Sequence, residues 1–144
     1  MGEVKKFELT SDFIINTVGK KLFRIKALIS FSNVNAGEIG GYIEKEANLS
    51  QSGDAWVYGN AEVFGHARVS GNADYATIKG FGTEFRCTTF FRCKDGCVRV
   101  ACGCFYGTIA EFREQVNKTR EGKIAKEYLM IADLMEMHFE KEEK

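Results

Sequence analysis

The residues here whose types could do chemistry are five cysteines, two histidines and a group of arginines. Cys93 and Cys97, with Cys102 and Cys104, have spacings that invite a zinc reading, since thiolates a few residues apart can close on one ion. A two-residue turn at Asp95-Gly96 would pair Cys93 with Val98, Phe91 with Val100, Thr89 with Cys102 and Cys87 with Cys104. Those residues then share one apolar face on which cysteine acts as a small hydrophobe, while Cys97 falls on the other side. No metal is expected. A three-residue Lys94-Asp95-Gly96 loop would instead set Cys93 opposite Cys97 and break that alternation.

With the two-residue turn, the opposite face carries Arg86, Thr88, Phe90, Arg92, Arg99 and Phe105, with Arg92 directly across from Arg99. Residues 79–107 hold five basic and two acidic side chains. Guanidinium forks suit phosphate or carboxylate, and Phe90 offers a stacking face. Arg86, Phe90, Arg92 and Arg99 are therefore the expected ligand-binding residues, unless an acidic helix neutralises them. His66 is the one histidine inside the repeat described next. It fills the slot of Asp54, Asn60 and Asn72, read as a corner that tolerates left-handed backbone. His138 lies near the C-terminus, and no catalytic triad or carboxylate pair follows from spacing.

The elements that must position these residues begin with a repeat. Gly53-Asp54-Ala55-Trp56-Val57-Tyr58 is followed without a gap by Gly59-Asn60-Ala61-Glu62-Val63-Phe64, Gly65-His66-Ala67-Arg68-Val69-Ser70 and Gly71-Asn72-Ala73-Asp74-Tyr75-Ala76. Ile43 and Leu49 extend the column of Ala55, Ala61 and Ala67 backward. A six-residue period with Gly corners predicts a short β-solenoid over 47–79, with Ala and Val pointing inward. Trp56, Tyr58 and Phe64 would then point outward, and a terminal helix or another copy of the chain would have to cover them. Residues 1–46 read as a cap, made of a hairpin about Gly19-Lys20 and a glycine-rich bend. Residues 80–144 read as a second hairpin and two helices. The first opens on the capping box Thr108 to Glu111, and the second runs over roughly 123–139 after a break at Glu121-Gly122.

The hexads resemble those of phage and prophage proteins grouped with the trimeric left-handed β-helix superfamily of acyltransferases. The stretch Cys102-Gly103-Cys104-Phe105-Tyr106-Gly107-Thr108-Ile109-Ala110-Glu111-Phe112 resembles a module that follows such repeats in those phage proteins. One departure is that Gly stands two residues after the aliphatic position, as in Val57-Tyr58-Gly59, and not directly after it. The resemblance implies a homo-oligomer, with a trimer favoured and Trp56, Tyr58 and Phe64 at its interface. It also implies a phage accessory protein in the cytoplasm of the bacterial host. The expected function is non-enzymatic and needs no cofactor: binding an anionic nucleotide-like signal, or a host defence protein, to counter antiviral defence. Two alternatives stand beside it: a hexapeptide acyltransferase that uses His66, and a purely structural oligomer.

Composition limits the rest. The 144 residues are 44% hydrophobic, enough to bury a core, and 20 basic residues balance 20 acidic ones. Zero net charge gives no reason to expect nucleic acid or an anionic membrane as partner. Five cysteines behind an N-terminus with no apolar signal core read as reduced cytosolic thiols.

Overall fold

The computed structural model describes residues 5–16, 18–71, 74–82, 86–102 and 105–140. Strands β1 (Phe7–Ile15), β2 (Lys21–Ala27), β3 (Ile39–Ile43) and β4 (Glu62–Val63) form one four-stranded sheet in that order. Strands β5 (Tyr75–Phe81), β6 (Arg86–Arg92), β7 (Val98–Cys102) and β8 (Phe105–Thr108) form a second, antiparallel one. Helices α1 (Ile109–Thr119) and α2 (Gly122–Phe139) follow. One face of the second sheet contributes Phe91 and Cys93 to the core of the first. Its other face contributes Phe90 and Val100 to a core shared with both helices. The result is a two-sheet sandwich with a helical third layer. Among the described residues, no helix is long and apolar enough to cross a membrane.

The expected β-solenoid is not what forms. Of the hexads, only Glu62–Val63 is a named strand before β5, and no coil closes. The inward pattern holds, because Ala55, Val57, Ala61, Val63, Ala67 and Val69 are all buried. The chain passes beside itself once, in parallel, with Ile43 against Val63 and Leu49 against Val69. Ile43 and Leu49 thus belong to the valine column and not to the alanine column. Leu49 to Val57 is eight residues where a hexad needs six, so the offset between passes is twenty where three hexads would give eighteen. With a single return pass, the remaining backbone groups take partners elsewhere. Arg68 donates from its backbone to the Arg92 carbonyl at 2.9 Å, Glu62 to the Thr89 hydroxyl at 3.2 Å and Tyr58 to the Tyr75 hydroxyl at 3.1 Å.

Two of the three aromatics expected outside are inside. Trp56 lies between Phe7 and Phe31, with ring centroids 6.5 and 5.5 Å away, and Gly40 makes room for it. A Cβ on Gly40 would stand 2.8 Å from the indole and 2.6 Å from the Val57 carbonyl. Phe64 packs on Phe91 and Tyr106 at 5.6 and 5.0 Å. Trp56 and Phe64 are 0% and 1% exposed, so the chain itself covers them, and only Tyr58 at 47% remains outside.

The flanking elements form largely as expected. The β1–β2 hairpin turns at Gly19, whose φ is +85°. The box at α1 is complete: Thr108 Oγ1 accepts from Glu111 N at 3.1 Å, and Glu111 Oε1 accepts from Thr108 N at 2.9 Å.

A buried amide joins the two parallel passes. Asn48, at the end of a 3₁₀ turn (Glu46–Asn48), accepts through Oδ1 from the backbone of Glu44 at 3.1 Å and Lys45 at 3.0 Å. Its Nδ2 donates to the carbonyls of Gly65 at 3.2 Å and Ala67 at 3.0 Å. Removing it strands three backbone groups, since Glu44 N also reaches the Val63 carbonyl at 3.2 Å; each is worth about 1–3 kcal/mol if left unsatisfied, though water can reach some of them. Asn48→Ala is therefore expected to cost about 3 kcal/mol or more, read as a lower urea midpoint at unchanged slope.

Candidate functional site

The second hairpin does not bring the expected arginines together. Its loop is the three-residue alternative, Lys94-Asp95-Gly96. Cys93 donates to the Cys97 carbonyl at 2.8 Å, Gly96 adopts φ +87°, and Asp95 Oδ1 accepts from Cys97 N at 2.9 Å. Arg92 consequently pairs with Val98, and Arg99 pairs with Phe91. The shift by one residue puts Arg92 and Arg99 on opposite faces of the sheet. The apolar alternation did not settle the register because both faces are covered, as the burial of Thr88, Thr89, Phe90 and Phe91 shows.

Three of the four predicted binding residues, Phe90, Arg92 and Arg99, have structural work. Phe90 lies in the helix-facing core. Arg92 donates to Asp74 Oδ1 at 3.2 Å, to the Gly96 carbonyl at 3.2 Å and to the Phe139 carbonyl at the end of α2 at 2.8 Å. That last bond satisfies a carbonyl left open at the helix C-terminus, where positive charge is favoured. Arg99 pairs with Asp95 Oδ2 at 3.2 Å. The Arg86 side chain and Cys104 lie outside the described residues.

A basic depression emerges elsewhere. Lys45, Ala47, Gly65, His66, Ala67, Arg68 and Lys94 line about 260 Å³ with no carboxylate among them. Three segments meet there, and backbone bonds fix each. The Asn48 amide holds Lys45. The tip of the β6–β7 hairpin docks on the repeat, with Lys94 N donating to the His66 carbonyl at 2.9 Å and Ala67 bridging Cys93. Gly65, at φ +66°, supplies the left-handed corner, so His66 does not; Ser32 is the one non-glycine described residue with positive φ. Glu44, next to Lys45 in the chain, accepts from the backbone N–H of Gly65, a lining residue, at 2.9 Å and pairs with Lys20 at 3.9 Å. Among the described residues, no ion pair occupies Lys45, Arg68 or Lys94, and no carboxylate hydrogen-bonds the His66 ring.

In the hexads Arg68 stands in the slot of Trp56, and Lys94 stands in the loop of the second hairpin. Nothing in either local pattern joined them to Lys45. The described cysteines, Cys87, Cys93, Cys97 and Cys102, are unbridged, and among the described residues no group of three or more His, Cys, Asp or Glu could hold a metal ion. Burial pushes the Cys93 thiol up to about 11, with a smaller opposing pull from Arg99, and it raises Cys87 as well.

No protein-family model and no curated protein matches the chain. The phage resemblance therefore rests on the motifs alone.

Two expectations follow. Arg92→Gln should cost about 2 kcal/mol, since two of its three bonds are partly buried, and should lower the melting temperature by roughly 5 °C. Arg99→Gln removes a pair with exposed Asp95 and should lower the melting temperature much less; equal losses in a thermal melt would contradict the assignment. At pH 8 a thiol titrating near 11 is only about 0.1% thiolate. Iodoacetamide on the native protein should therefore modify exposed Cys97 well before Cys93, as read by peptide mass mapping.

Proposed function

We propose that this chain is a non-enzymatic binding protein whose basic depression holds the phosphate or carboxylate end of a small ligand. Lys45, Arg68 and Lys94 would supply the charge and His66 a further donor. The observation that carries this reading is the gathering of these four side chains around one concavity in a chain of zero net charge. A volume near 260 Å³ lies just below the usual range for enclosed small-molecule pockets, roughly 300–1,000 Å³. It suits a phosphate group whose remaining nucleotide projects outward. The motif resemblance supports a phage accessory role in the host cytoplasm, in which such binding would sequester an anionic nucleotide-like signal and so counter host defence. The acyltransferase alternative has less support, because the His66 ring lacks an orienting carboxylate among the described residues.

Calorimetric titration with pyrophosphate and with ADP tests the reading. Both should bind, and more weakly as salt is raised. Each exposed cationic contact is worth about 1 kcal/mol, so Arg68→Gln with Lys94→Gln should weaken binding roughly 30-fold at unchanged melting temperature. Failure of the wild-type protein to bind either probe at millimolar concentration would overturn it.

A further inference from the structure

Helix α2 turns Tyr128, Ile131, Ala132, Met135 and Phe139 into the core. A second apolar row faces outward. Met130 is 70% exposed, Leu134 49% and Met137 66%. Spaced four and three residues apart, they form one continuous stripe along the helix. A stripe of this kind, rimmed by charge, marks an interaction surface.

The rim says what fits. Lys126 flanks the start of the stripe on one side and Glu140 its end on the same side; Glu127 and His138 do so on the other. Two such helices laid antiparallel about a twofold axis keep each flank facing its own reverse. Lys126 then meets Glu140 of the second copy, Glu127 meets His138, and Met130 nests against Met137 around Leu134. Asp133 falls near the axis, where two like charges would meet. Its charge is already taken by Arg113 at 2.8 Å, which also holds Glu136 at 3.1 Å.

We propose that α2 is a self-association face, pairing antiparallel with α2 of a second copy of this chain. Trp56 and Phe64 are covered by their own chain, whereas this face is open. The three side chains on both copies would remove roughly 700 Å² from water, about half of what a standard stable interface buries. An interface of that size belongs to the weak, transient class, so the dimer is expected to form only at high protein concentration.

Sedimentation of the full chain between about 5 and 500 µM at low salt should show monomer passing to dimer over that range. Leu134→Glu should abolish the dimer with the far-ultraviolet circular dichroism unchanged. Lys126→Glu should weaken association about tenfold, and adding Glu140→Lys should restore it. Arg68→Gln with Lys94→Gln should associate like the wild type, which separates this face from the basic depression. A monomer at the highest concentration, or an oligomer indifferent to Leu134→Glu, overturns the proposal. Should Leu134→Glu disturb the helix, failure of the charge reversal to restore association overturns it by itself.

Discussion

The constraint on which the rest depends is the satisfaction of backbone polar groups in a segment too short to satisfy its own. A strand array pairs with its neighbours, and a long solenoid pairs coil with coil. The hexads here make only one return pass, so their inward side chains are packed while much of their backbone would otherwise go without partners. Asn48 answers this with one carboxamide that spans both passes through four backbone bonds. The amide has two donors and two acceptor lone pairs, and this arrangement uses all of them. No aliphatic side chain of similar size could do so, and a carboxylate would set negative charge against two carbonyls.

How far the fold was legible follows from how local its causes are. The α1 start was legible because Thr108 and Glu111 cap each other within four residues. The inward Ala and Val positions were legible because alternation is a property of neighbouring residues. What closes the repeat was not. Its partners lie on β3, on Asn48 and on the β6–β7 hairpin, none of which the period specifies. The two-residue excess between Leu49 and Val57 sits in plain view, but its effect appears only once Leu49 is seen beside Val69. The exterior assignment of Trp56 failed for a related reason. The slot is outward only on a regular coil, and here the indole turns onto Gly40 beneath Phe7 and Phe31.

The hairpin register shows how a small local choice sets the placement of charge. A sheet buried on one side would have favoured the alternation that puts Arg92 across from Arg99. Because α1 and α2 cover the second side, both registers bury apolar residues, and the turn decides. Gly96 in the left-handed region with Asp95 capping Cys97 favours the three-residue loop. That loop sends Arg92 to Asp74 and the end of α2, where it serves the fold.

The same loop creates the basic depression. Extending the turn by one residue lets Cys93 bridge Ala67 and lets the Lys94 amide reach the His66 carbonyl. Lys94 is then carried to the repeat corner that Asn48 has already set beside Lys45. Each of these cations alone is an ordinary solvated side chain. Their separation along the chain explains why a balanced composition hid them: 45, 68 and 94 never fall within one window of sequence. Backbone bonds hold all three segments, so the cost of gathering like charges is met during folding and not when a ligand arrives. On the proposed reading, an anion entering the depression would relieve that repulsion.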